Sequence, residues 1–507
     1  MLSAVEITAP ARNAAAEIWL RGVLVFFSTL AAAGLLAHLA ILLWAENGFS
    51  GPEPVVAAQS TMLARDGTLY YDLNSYPYTV CAYTPIFYLL EAGLFKLGIP
   101  VFAAGRLISF TALLGIVGLC WRVLIFYTRD RYYAWTGAIL CASSALLLFW
   151  GSTGQVDTLA LLFALAAFER FSSNLLNRDC SLAWAGLLCV LAFFTKQTML
   201  ACPAAIVAVL CLERRWKTAA VFATAVGGSV LAIAGIINTV THGHFLANTV
   251  LANINPFSIG KLEDHVKYLL LTAGTLVLIA AAGARQAFGM RAYTPFVYLA
   301  IALLVVLATA PKIGSDLNYQ MECTILLAVC SCISLKALNL VSLVLGGSKS
   351  WVTLLQIPVG VFLVLNLSLS GKQLFVRVFL EQQERKTTAL LAPYFTGGAQ
   401  VITSSYNLAT RLAGRIEVET LIYRILVDAK VVNPEPLRRD IAEERFRAII
   451  LSEEVGGNYT NRDPEMSALP DVQVAEIKKH YRLAKRVPDV PSDLYVYTPI
   501  RMTREGY

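Results

Sequence analysis

The sequence predicts a polytopic α-helical membrane protein of about 11 transmembrane helices, with interfacial helices in its first outer loop and a small α/β domain at its C-terminus. Three observations predict this. Of the 507 residues 57% are hydrophobic and only 15% charged, where a soluble chain carries about 25% charge. Mean hydropathy is +0.61. The charge is unevenly placed: residues 372–507 hold 20 of the 41 basic and 18 of the 34 acidic side chains. The expected division is therefore a membrane part over 1–371 and a water-soluble part over 372–507.

The spans follow in chain order. Gly22 to Trp44 is an apolar run long enough to cross a bilayer. Tyr83 to Leu97 is too short and, with Glu91 and Lys96, too polar to cross, so it reads as a helix in the interface. Ala103 to Tyr127 crosses, and Arg122, Arg129 and Arg131 mark its far end as cytoplasmic. Tyr132–Trp150, Val156–Phe171, Leu182–Phe194, Met199–Leu212, Thr218–Val240, Tyr268–Ala284, Tyr293–Ala310, Cys323–Leu345 and Trp351–Ser370 complete eleven crossings. Basic clusters at Arg214, Arg215 and Lys217, at Arg285 and Arg291, and at Lys349 all fall inside on this count. The tail is then extracytoplasmic: a helix over Lys372 to Ala392, β-type runs at Val401–Thr403, Ala448–Leu451 and Leu494–Tyr497, and helical stretches between them.

The composition also excludes functions. A net charge of +7 serves topology in such a protein and carries no nucleic-acid signal. The ten cysteines lie in or beside apolar runs without metal-ligand spacing and read as small core residues. The N-terminus reads as an uncleaved first helix. Gly346 to Ser350 lacks phosphate-loop spacing. The sequon at Asn458 carries little weight, and His242, His244 and His265 read as a solvated loop before a metal site.

Polar chemistry collects at the outer ends. Pro54 suits the first turn of a helix that Gly67 can stop, leaving Glu53 at its N-terminus, where the dipole favours an ionised carboxylate. An outward carboxylate there is a candidate general base; its structural alternative is to stabilise the helix start. Asp157 precedes an apolar run, the ordinary place for a cap. Lys196 lies outside between two short crossings, which is costly unless it meets an anion. Arg106 opens the second span and either snorkels or meets a lipid phosphate. The stretch Pro311 to Glu322 gathers Lys312, Asp316, Asn318, Tyr319 and Glu322, more polar groups than a structural loop needs. His38, inside the first span, reads as a packing residue.

Taken in order, Glu53, ARDGTLYYD, YTPIFYLLEAGLFKLG, AAGRLIS, GQVDTLAL, FFTKQT, KIGSDLNYQMECT and LATRLAGRIEVE resemble the polyprenyl-phosphate-sugar-dependent glycosyltransferases of the GT-C superfamily. The similarity is to the bacterial branch related to protein O-mannosyltransferases and the lipid A aminoarabinose transferase. It implies transfer of a sugar from a lipid-linked phosphate donor to an acceptor hydroxyl on the outer face of a bacterial inner membrane, with inversion. Glu53 is then the base; relatives often carry an Asp-Glu pair where this chain has Pro52-Glu53-Pro54, so Asp157 and Asp72 stand in reserve. Lys196, Lys312 and Arg106 would hold the donor phosphate, and Asp316, Asn318, Tyr319, Glu322 and Tyr83 the substrate. No definite cofactor is implied; a divalent cation is compatible with the acidic outer face, though no spacing demands one. The partners are membrane lipid, the polyprenyl-phosphate sugar and an acceptor glycan, lipid or protein that the sequence leaves open. A secondary transporter, or a non-catalytic membrane scaffold with a binding tail, is the competing reading. Charges at one face and the absence of a visible repeat speak against the transporter.

Overall fold

The computed structural model describes residues 14–177, 182–253, 255–344, 356–455, 469–490 and 492–501. Gly346 to Ser350, the head of the last expected span at Trp351, the Asn458 sequon and the residues before Ala14 lie outside them.

The membrane part is a bundle of helices: α1 (Ala14–Trp44), α2 (Pro52–Asp66), α3 (Ile86–Lys96), α4 (Val101–Thr128), α5 (Arg131–Ser143), α6 (Ala145–Gly151), α7 (Val156–Asn177), α8 (Leu182–Thr195), α9 (Ala201–Leu212), α10 (Trp216–Val240), α11 (His244–Thr249), α12 (Ile259–Gly289), α13 (Thr294–Thr309) and α14 (Met321–Val344). A last long helix, Gln356–Leu391, runs through Gly371 without a break. A helix lies at each of the eleven segments expected to cross. Among the described residues six helices are long and apolar enough to do so alone, and α5 with α6, bent by 61°, make a seventh if taken as one span. Helices α8, α9 and α13 are apolar but shorter.

The connections sort into two ends. At one, Lys336 of α14 pairs with Asp130 in the α4–α5 turn at 2.8 Å, and Tyr127 donates to Ser172 of α7 at 2.9 Å. Tyr293, before α13, reaches Glu213, after α9. Arg129, Arg214, Arg215 and Arg291 occupy turns at this end, and Arg131 opens α5 there. At the other end Thr84 donates to the Phe193 carbonyl at 2.8 Å, Gln197 to the Ala82 carbonyl at 2.7 Å, and Phe257 forms an isolated antiparallel bridge with Lys312.

α14 forms the centre of the bundle, and its Cys323–Leu335 face is almost wholly buried. α12 approaches it closely: a Cβ on Gly283 would lie 2.6 Å from the Ser334 Cα, so only glycine permits that contact. Outward faces remain apolar, with Val221, Leu231, Ile236 and Val240 of α10 and Leu270, Leu271 and Leu278 of α12 exposed. Such a girdle is stable against hydrocarbon and not against water. The nine described cysteines are free thiols, eight of them buried. His38 is held on both ring nitrogens, by Ser152 at 3.0 Å and Ser370 at 2.9 Å, and so ties α1 to α6 and the last helix.

The C-terminal segment carries a four-stranded sheet in the order β1-β2-β4-β3. β1 (Val401–Thr403) and β2 (Ala448–Leu451) are parallel; β4 (Leu494–Pro499) is antiparallel to both β2 and β3 (Tyr481–Val487). Three strands coincide with the β-type runs read from the sequence. β3 was not anticipated, because five consecutive residues between Tyr481 and Val487 are exposed; it is a charged edge strand with no buried face to give it away.

Candidate functional site

The first outer loop enters the site through α2. Pro52 occupies its first turn, and Gly67, at φ 72°, ends it in the left-handed conformation, which glycine adopts without Cβ strain. Glu53 follows Pro52 but turns inward. It is 0% exposed. Its Oε2 accepts from the Phe49 N–H at 2.6 Å, and its Oε1 accepts from the Gly154 N–H and from Arg106 Nε, both at 2.8 Å. Arg106 spends its other N–H groups on the carbonyls of Ala45, at 2.7 Å, and Asn47, and its guanidinium lies 4.5 Å from the Phe49 ring centroid. Two sequence expectations are corrected here. Glu53 is not an outward carboxylate, and Arg106 does not present N–H groups to a donor phosphate; each satisfies the other, because a buried charge without a partner is far costlier than a pair.

This pairing depends on two glycines. A Cβ on Gly105 would lie 3.0 Å from the Gly154 Cα and inside the Glu91 carboxylate, so α4 and the loop before α7 can touch only because both side chains are missing. Glu91, on α3, is fully buried, and Ser60 donates to it at 2.5 Å. Burial pushes its pKa up to about 8, against the Ser60 hydrogen bond. The shift favours the neutral acid, the form that suits a helix whose Leu89 and Leu90 stay exposed.

A second cluster lies beside the first. Asp157, in the first turn of α7, and Lys196, one residue past α8, form a buried ion pair. The Lys196 ammonium sits 4.4 Å from the Tyr319 ring centroid and 5.9 Å from that of Tyr83. Lys312 reaches the same Tyr319 ring at 5.9 Å. Tyr319 thus stands between two ammonium groups, each drawn to the negative face of a ring. The remaining oxygen of Asp157 is buried without a hydrogen-bond partner.

Tyr83, Lys312 and Tyr319 line a cavity of about 610 Å³. Its floor is the Gly48–Pro52 turn and the buried Val55, Val56 and Gln59 of α2. Its roof comes from the C-terminal segment: Glu384 of the last helix, Ser404 to Asn407, Glu419 and Asp489. Asp157 and Lys196 sit behind Tyr319, and Glu53 behind Pro52. Among the expected substrate residues three lie elsewhere. Asp316 caps the turn at Leu317. Glu322 is buried against the Tyr298 hydroxyl inside the bundle. Asn318 is buried off the cavity wall. Asp72, the reserve base, holds a turn by accepting from the Asn74 N–H at 3.1 Å.

The roof is fastened to the floor. Tyr78 and Val418 bridge in parallel, Asn407 accepts from the Gly48 N–H at 2.8 Å, Thr410 donates to the Pro54 carbonyl at 2.7 Å, and Arg411 pairs with Glu46. These contacts come from the motif LATRLAGRIEVE and its neighbours. Glu419, its last residue, and Glu384 had been given no role in the sequence reading, since neither belongs to a spacing that signals chemistry. Among the described residues no three His, Cys, Asp or Glu side chains are grouped to hold a metal ion. His265 instead contacts Ser315 at 3.3 Å and Gln320 at 3.0 Å.

No family model and no curated protein sequence matches the chain. Solved structures do. ArnT from Cupriavidus metallidurans bound to undecaprenyl phosphate superposes with a TM-score of 0.62 at 13% identity, over 94% of this chain and 98% of that one. Its apo state gives 0.61 at 13%, with the same coverage. An Archaeoglobus fulgidus oligosaccharyltransferase in complex with Zn and sulfate gives 0.51 at 13%, over 93% of this chain and 73% of that one. The chain therefore shares the fold of these solved structures.

Proposed function

We propose that this protein is an integral membrane glycosyltransferase that moves a sugar from a polyprenyl-phosphate donor to an acceptor hydroxyl on the extracytoplasmic face, with inversion. The observation that carries it is the cavity in which Lys312 and Tyr319 stand over the buried Lys196–Asp157 pair, in the fold of a protein crystallised with undecaprenyl phosphate. Eleven crossings, with the arginine-bearing turns cytoplasmic, put the cavity and the segment 372–507 outside, over a membrane part that spans 1–371.

The chemistry fits the groups present. The acceptor oxygen attacks the anomeric carbon, the carbon–oxygen bond to phosphate breaks, and the electron pair leaves on a phosphate monoester. Such a leaving group needs no strong acid, so one base suffices where a glycosidase uses two carboxyl groups. Lys312 meets the departing phosphate in the cavity, and Lys196, behind Tyr319, adds positive potential from a site that excludes water. Glu53 and Arg106 act as positioning residues that hold the α2 N-terminus and the Gly154 loop in place.

Lys312→Met tests the donor site. A charge-assisted hydrogen bond is worth about 1.5–3 kcal/mol, so the substitution should weaken binding of undecaprenyl phosphate by roughly 10- to 150-fold. Titration of the purified protein in lipid nanodiscs measures this. Unchanged affinity removes Lys312 from the phosphate site.

A further inference from the structure

We propose that Glu419, delivered by the C-terminal segment, is the general base of this transfer. The inference deepens the transferase reading and rests on it. The α2 N-terminus presents Pro52 to the cavity, and its neighbour Glu53 is sealed behind it with both oxygens engaged. Asp157 is tied to Lys196. Glu381 accepts from the Asn47 backbone and side chain, both at 3.2 Å, and from Arg385 at 2.7 Å. Glu384 accepts from Asn407 at 3.2 Å and keeps its other oxygen without a partner, but it lies at the cavity end shared with Asp489, which takes the Thr387 hydroxyl at 3.0 Å.

Glu419 sits differently. It lines the cavity and is 8% exposed. Its backbone N–H donates to the Tyr78 carbonyl at 3.0 Å, and its Oε2 accepts from the Val80 N–H at 3.2 Å. The carboxylate is thereby aimed by main-chain groups and not consumed by a cation. The titratable groups within its electrostatic reach are Tyr83, Tyr406 and Cys81, and Tyr83 is the ring that also faces Lys196. Glu419 is thus the cavity carboxylate on the side of the proposed phosphate site. Burial, opposed by the Val80 hydrogen bond, raises its pKa to about 7, close to the value at which a base both exists ionised and accepts a proton effectively.

In the step itself the Glu419 carboxylate takes the acceptor hydroxyl proton as the acceptor oxygen bonds to the anomeric carbon, and the phosphate leaves with the electron pair of the broken bond. Azide is already an anion and needs no base. It can attack the same carbon, giving an inverted glycosyl azide and the same phosphate.

The test uses the full chain in nanodiscs with undecaprenyl-phosphate-linked hexoses and pentoses labelled in the sugar. Glu419→Gln should lower transfer to hydroxyl acceptors by about 10²–10⁴-fold, while undecaprenyl phosphate binding and glycosyl azide formation stay at the wild-type level. Wild-type transfer should fall as pH drops below about 7, a limb that Glu419→Gln lacks and Glu419→Asp keeps. Transfer by Glu419→Gln at the wild-type rate overturns the proposal. So does an azide reaction that falls in step with hydroxyl transfer, which would make Glu419 merely structural. A wild-type protein that does not bind undecaprenyl phosphate overturns the transferase reading itself, and the base with it.

Discussion

Arg106→Met is expected to destabilise the protein by roughly 3–5 kcal/mol, the cost of leaving a buried carboxylate without its cation. Glu53 is wholly enclosed, so no water can replace the guanidinium, and the carbonyls of Ala45 and Asn47 lose their donors at the same time. Glu53→Gln alone strands Arg106 in the same way. The double variant carries neither charge and should be less destabilised than the two single changes added together, since residues in direct contact couple. Thermal melting of the three variants in one detergent measures this. Strictly additive losses would mean that the two side chains stabilise the loop independently.

The contrast between what the sequence revealed and what it hid follows from distance along the chain. Apolar runs are legible because a bilayer tolerates little else, and a helix lies at each expected span, although six among the described residues are long and apolar enough to cross alone. Pro52, Pro54 and Gly67 mark the ends of α2 by local backbone preference. Glu53 and Arg106 were both singled out, yet as separate participants in chemistry, because their contact is made across 53 residues and requires the close approach of Gly105 and Gly154. Lys196 was expected to hold a donor phosphate; the anion it meets in the structure is a carboxylate. That the anion is Asp157 of the same chain depends on how α7 and α8 pack. Glu419 carried no signal of its own: its place in the cavity exists only once Val418 bridges to Tyr78.

Lys196→Met should reduce transfer by about 10²–10³-fold, the scale seen when one preorganised group that stabilises developing charge is removed. The ammonium lies over Tyr319, between the cavity wall and Asp157. Its loss takes positive potential from behind the departing phosphate and strands Asp157. The two consequences separate on adding Asp157→Asn, which removes the stranded carboxylate: melting temperature should recover toward wild type, but activity should not. Recovery of both would show that Lys196 serves only to neutralise Asp157.

The most direct measurement is a structure of the protein in a lipid nanodisc with undecaprenyl phosphate added. The phosphate should lie in the cavity within hydrogen-bonding distance of the Lys312 ammonium, against Tyr319, with the Glu419 carboxylate facing the space in front of it. A phosphate bound instead at the opposite end, beside Arg214 and Arg215, or a cavity that stays empty at saturating lipid, would contradict the account.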